Sequence, residues 1–187
     1  MPSEHVYVPS MTTPLMTAEE LLKVDIPNKR TELVRGHLIV RELPGGRHAS
    51  VAMNLTIRLG THVEHARAGQ LFGAGFTLFR APDTVRAPDV AFVRRDRIPD
   101  PIPLGYLEFA PDLVVDVLSP RDRPGEILAK VAQWLEGGVR LVWVIDPQRR
   151  VARIYRVDGT ESVIDEKGVL NGEDILPGFS CPLMTIL

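Results

Sequence analysis

The sequence predicts a mixed α/β or α+β fold, a central mixed sheet flanked by helices with β-hairpins added at both ends. Two patterns carry this. From residue 48 to about 67, apolar residues recur at three- and four-residue steps, the stripe of a helix with one buried side. By contrast, LVVDVL (113–118) and LVWVI (141–145) are short, nearly continuous apolar runs, as strands covered on both faces are. Between and around them the order reads helix, strand, strand, strand, helix, strand.

The elements follow in turn. Thr17 with Glu20 forms a capping box opening a short helix that Pro27 ends. ELVRGHLIVREL alternates around Gly36 and reads as a hairpin, 32–35 with 37–42. PGGR is a turn into the long helix, whose stripe is Val51, Leu55, Leu59, His62 and Ala66, and which Gly69 stops. Strands follow at 72–80 and 89–93, separated by the turn-like APDTVRAP, and 94–111 reads as a surface loop. A helix at 126–136 ends at Gly137-Gly138, and 151–157 alternates as an outer hairpin strand. The tail wraps a short apolar segment back on the body.

The 187 residues are 44% hydrophobic and 25% charged, with a formal net charge of −2. This balance suits one sizeable domain, 14–187, after a loose arm over 1–13. Apolar runs stop far short of the ~20 residues that cross a bilayer, and no secretory signal is expected. The lone Cys181 excludes an internal disulfide and a cysteine-based zinc site. The expected setting is the cytoplasm, away from membranes. Net acidity weighs against tight, sequence-blind coating of nucleic acid but leaves room for a local basic face.

Asp116 is the most informative residue. Inside LVVDVL it must be protonated, hydrogen-bonded or beside a cation, because a buried unpaired carboxylate is costly. Asp89 opens the strand after Ala87-Pro88. Lys130 sits mid-helix and admits two readings: a salt bridge to Glu126 one turn upstream, or a lysine projected at the strand acids. Glu32 begins a strand and pairs locally or joins a site, and His48 is a polar cap or a site residue. Asp112 reads as a surface acid and Asp146 as a turn former. His62 and His65 lack supporting ligands, no phosphate-cradling glycine loop is present, and Ser119 has no nucleophile-elbow context.

Taken together, APDVAFV, APDLVVDVLSP, EILAKVAQWLEGGV and LVWVIDPQRRVARIYR resemble the Uma2 family, as do ELVRGHLIV, GRHASV and LPGFSCPL. The resemblance runs from about residue 15 to the end. It implies the restriction-endonuclease-like core of the PD-(D/E)xK superfamily. There, Asp89 and Asp116 correspond to divalent-metal ligands, the Val117 carbonyl completes the inner shell, and the ion is Mg²⁺ or Mn²⁺. Lys130 corresponds to the lysine that polarises the attacking water. The superfamily's usual lysine position is Leu118 here, so Lys130 must reach in from the following helix. The second acid is commonly Glu in this family, whereas here it is Asp116. Glu32 and His48 match further polar positions, Glu32 as an extra ligand or its support and His48 as a water or phosphate contact.

The function expected from these residues is metal-dependent hydrolysis of DNA phosphodiesters by a homodimer. Arg94, Arg95, Arg97, Arg121 and Arg123 flank the two acids in sequence as candidate phosphate contacts. A non-catalytic nuclease-fold binding module and a hydrolase of small phosphodiesters are the alternatives.

Overall fold

The computed structural model describes residues 14–73 and 75–187; the arm expected over 1–13 lies outside them. A one-turn helix, α1 (Ala18–Leu21), carries the Thr17/Glu20 capping box. It ends at Leu22, before Pro27, because the chain turns off into β1 (Lys29–Val34). With β2 (His37–Glu42), β1 forms the expected hairpin. The long helix α2 (Gly46–Ala66) follows. Its buried stripe is His48, Val51, Leu55, Leu59 and Val63. Val63 thus stands where the sequence reading placed His62; His62 turns partly outward, its Nε2 3.1 Å from the Pro177 carbonyl. Arg67 ends the helix in the left-handed region at φ 50°. Gly69 is needed for another reason: it belongs to β3 (Gly69–Phe72), and a Cβ there would lie 2.0 Å from the Val93 carbonyl.

The run expected as one strand over 72–80 divides between β3 and β4 (Phe76–Phe79), and the supposed turn APDTVRAP contains a third strand, β5 (Thr84–Arg86). All three β5 residues are buried, with Val85 paired between Leu33 and Thr77. There follow β6 (Val90–Arg94), β7 (Leu113–Val117), α3 (Pro124–Glu136), β8 (Leu141–Asp146), β9 (Val151–Arg156), β10 (Glu161–Asp165), β11 (Val169–Asn171) and β12 (Ser180–Pro182). Proline in the first turn of α3, where no N–H is required, and Gly138 at φ 104° just past its end explain its limits.

The main sheet runs β10-β9-β8-β7-β6-β3. Only β7 and β8 are parallel, joined by the α3 crossover; the other pairs are antiparallel. The expected order is realised by α2, β3, β6, β7, α3 and β8. A second sheet, β2-β1-β5-β4, brings the N-terminal hairpin alongside. Alternation along β7 divides the core. Leu113, Val115 and Val117 pack with α2 and with the tail residues Leu170, Leu176, Phe179 and Leu183, where Trp143 stacks on Phe179. Val114 instead faces Val131 and Trp134 of α3. Asp116, two residues on, points off that same α3 side.

One acid is placed against expectation. Asp112 is buried, not on the surface: it holds Arg97 NH1 at 2.8 Å and accepts from the Arg94 amide at 2.9 Å. It pins the loop between β6 and β7, a task set by tertiary position and invisible in its proline-flanked sequence.

Candidate active site

At the carboxyl ends of β7 and β8, three elements converge. Lys130 of α3 donates from Nζ to Asp116 Oδ1 at 2.7 Å and to the Ala87 carbonyl at 3.1 Å, and lies 3.5 Å from Glu32 Oε1. The local reading of Lys130 therefore fails. Glu126 turns instead toward Arg41 of β2, at 3.4 Å. Trp134, one turn beyond Lys130, donates from Nε1 to Asp116 Oδ2 at 3.2 Å. Both oxygens of the short Asp116 side chain are thereby held.

Glu32 enters from β1. Its Oε2 takes Arg86 NH1 at 2.8 Å, and its Oε1 takes the Ala87 amide at 2.9 Å. Arg86 forks onward from Nε to Gln133 Oε1 of α3 at 2.7 Å, tying hairpin to helix. Asp89 stands just before β6. Its Oδ2 accepts the Val117 amide at 2.8 Å, and its Oδ1 accepts Arg30 NH1 at 2.9 Å. The amide and carbonyl of one strand residue face the same neighbour, so the Val117 carbonyl also turns to the Asp89 side. His48, at the start of α2, places Nε2 3.0 Å from Asp89 Oδ1. Its Nδ1 meets Ser119 Oγ at 3.2 Å.

The charges are strongly coupled. Burial works against an ionised Glu32, but Lys130, Arg86, the Ala87 amide and Arg41 overcome it and hold the carboxyl at about 2. Asp89 is likewise held at about 2, against its burial, by His48, the Val117 amide and Arg30. Asp116 moves the other way. Burial raises it, and the Asp89 and Glu32 charges add to that, against the pull of Lys130. Burial also works against the Lys130 ammonium, yet Asp116, Glu32 and Asp89 together raise it above the usual lysine value. At neutral pH Lys130 is a donor only.

Asp89, Asp116, Lys130, Val117, Glu32 and His48 are thus gathered at one end of the sheet. Arg121 and Arg123, in the β7–α3 connection, lie at this end too. Arg94 and Arg95 do not: they sit at the far end of β6, about 16 Å along the strand from Asp89. Arg94 is turned to Asp96 there, and Arg97 to Asp112. Strand polarity separates what sequence adjacency had grouped. Arg30, Arg86 and Trp134 are not among the site residues expected from the sequence, and Ser119 is set aside there for lack of a nucleophile-elbow context. Trp134 was legible in principle, one helical turn from Lys130, and Arg30 as the same-face neighbour of Glu32. Arg86 and Ser119 carry no local signal.

The Uma2 family, described as "Putative restriction endonuclease", matches residues 18–184. The chain belongs to the Uma2 family. Among solved structures, this Uma2 chain is similar to one described as "a putative nuclease belonging to DUF820 from Anabaena variabilis ATCC 29413". The two share 20% identity and a TM-score of 0.81 over 91% of this chain and 97% of the other, so the restriction-endonuclease-like fold is common to both. No curated protein matches the chain. No helix among the described residues is long and apolar enough to cross a membrane.

Relatives with this fold generally use divalent metals, and the residues that could hold one here are oxygen donors. Among the described residues no three His, Cys, Asp or Glu side chains form a ready cage for an ion. The Uma2 site offers instead Asp89, Asp116 and the Val117 carbonyl. These are hard oxygens in the small number by which Mg²⁺ is held when water and substrate complete its shell. His48 Nε2, 3.0 Å from Asp89 Oδ1, stands at the same point.

Proposed function

We propose that this Uma2 protein is an endonuclease that hydrolyses DNA phosphodiesters with Mg²⁺ or Mn²⁺. The observation that carries this reading is the bond from Lys130 Nζ to Asp116 Oδ1, beside a second carboxylate, Asp89, which its surroundings hold ionised. Two hard-oxygen side chains and a charged donor brought together at one end of the sheet are what phosphoryl transfer to water requires. A cation held by Asp89, Asp116 and the Val117 carbonyl would supply charge stabilisation for the phosphate and acidify a water.

This chain's own residues do the rest. Lys130 keeps its proton, so it serves as a donor that orients the water or faces the developing negative charge, not as a base. Glu32, locked by Arg86 and the Ala87 amide, holds the ammonium from its far side. Trp134 fixes the Asp116 carboxylate, and Arg86 with Gln133 keeps α3 in register with the hairpin. His48 presents Nε2 for a water or phosphate, with Ser119 setting the ring through Nδ1. Arg121 and Arg123, in the β7–α3 connection, would meet the DNA backbone. Two copies joined through the β9–β10 edge, where Val157 and Val163 are exposed, would address two strands; sedimentation at micromolar concentration tests that pairing.

The test of the reaction is nicking of supercoiled plasmid with Mg²⁺, Mn²⁺ or EDTA, beside Asp116→Asn. Metal-dependent nicking that falls by about 100-fold or more in the variant is expected. Nicking that survives in Asp116→Asn, or none with either metal, overturns the reading.

A further inference from the structure

Arg30 is a charged side chain at the site to which cleavage assigns no part. It lies two residues before Glu32 on β1, so both leave the same face of the hairpin. Arg30 is one-third exposed, whereas its partner Asp89 is almost wholly covered, making the guanidinium the solvent-facing member of the pair. Directly across the β1–β2 ladder from Arg30 stands Arg41. Like charges in such a position repel. Each is drawn away to carboxylates: Arg30 to Asp89 at 2.9 Å, and Arg41 to Glu32 at 3.6 Å and Glu126 at 3.4 Å.

We propose that Arg30 is the internal counter-ion of Asp89, displaced when a divalent cation binds there, and that once released it forms with Arg41 a clamp for a phosphodiester. The inference rests on the reading of Asp89 as a metal ligand. Asp89 Oδ1 already faces Arg30 NH1 and His48 Nε2, so an incoming dication competes with a guanidinium for the same oxygen. When the ion neutralises Asp89, Arg30 loses its partner and is left opposite Arg41. Two guanidinium forks on one face suit the oxygens of a phosphate, which each engages in a planar, paired fashion. Cation and phosphate then strengthen one another's binding, as linked equilibria must. Without the ion, Asp89 keeps the clamp shut.

Two measurements on the full chain test this. Mn²⁺ is titrated calorimetrically into wild type, Arg30→Met and Arg41→Met, and binding of a labelled DNA duplex is followed with Ca²⁺ or with EDTA. Arg30→Met is expected to bind Mn²⁺ about fivefold tighter or more. That gain should exceed the gain in Arg41→Met, which removes the same charge without freeing Asp89. Ca²⁺ is expected to strengthen duplex binding by wild type and to do so far less for Arg30→Met. Arg30→Lys keeps the charge but not the fork; it guards against a folding defect and is expected to lose the Ca²⁺ effect as well. Mn²⁺ affinity unchanged in Arg30→Met, or raised only as much as in Arg41→Met, overturns the displacement and leaves the metal reading standing. An undiminished Ca²⁺ effect in Arg30→Met overturns the clamp. No Mn²⁺ binding by any of the proteins removes Asp89 as a ligand, and the inference falls together with that reading.

Discussion

Lys130 Nζ and Asp116 Oδ1 meet at 2.7 Å, joining α3 to the strand that precedes it, and the same ammonium lies 3.5 Å from Glu32 on the N-terminal hairpin. One cation thus holds two buried carboxylates from two different sheets. This makes Lys130 as consequential for the fold as for the proposed chemistry.

Lys130→Met is therefore expected to destabilise the protein by about 3–5 kcal/mol, because two carboxylates lose the charge that compensates their burial. The combination with Asp116→Asn should recover part of that loss, since one of the stranded charges is then gone. Urea unfolding of the single and double variants measures both. A double variant as unstable as the sum of the singles would show that the two side chains act independently.

Glu32 and Asp89 are held at about 2, below ordinary values of 4.5 and 3.8. Depressed carboxylates stabilise the fold above their unfolded values and lose that contribution as pH falls through the folded ones. Stability should accordingly decline between about pH 5 and pH 2, with Glu32 accounting for about 3 kcal/mol. Asp116 has the opposite sign: its value is raised, so its protonation on acidification favours the folded form and offsets part of the decline. Unfolding followed across this range should show a shallower acid limb in Glu32→Gln and a steeper one in Asp116→Asn.

Trp134 donates directly to Asp116, while Trp143 lies on the opposite side of the sheet, against Phe179. The paramagnetic ion Mn²⁺ held at Asp116 should quench the indole nearest to it. Fluorescence titration is expected to show saturable quenching in wild type that is lost in Trp134→Phe and retained in Trp143→Phe. Equal quenching of the two single-tryptophan proteins would place the ion elsewhere.

Asp112 supplies the contrasting case of a buried acid with a purely architectural task. Asp112→Ala should cost about 1–3 kcal/mol by leaving the Arg94 amide without its acceptor and taking one of Arg97's partners, while Arg97 keeps the Ala110 carbonyl. Nicking by the folded fraction should be unaffected, because Asp112 lies at the other end of β6 from Asp89. Thermal unfolding and plasmid nicking on the same preparation separate the two effects.

The sequence by itself determined the elements whose causes are local. The Thr17/Glu20 box starts α1, proline and glycine bound α3, and the unbroken apolar runs of β7 and β8 announce strands covered on both faces. It also singled out Asp89, Asp116 and Lys130, since an acid amid LVVDV demands a partner wherever that partner comes from. The partner itself was decided by tertiary structure. An exposed pairing of Glu126 with Lys130 is worth a few tenths of a kcal/mol, too little to compete with two buried carboxylates awaiting a cation, so Lys130 turns inward and Glu126 outward. The same holds for β5, which becomes a strand only because β1 and β4 flank it, and for Asp112, buried by the loop it pins. It holds again for Arg94 and Arg95, which strand direction carries away from the acids beside them in sequence. Periodicity and capping act over a single turn or strand, whereas burial and charge compensation act between segments that meet only when the chain is folded.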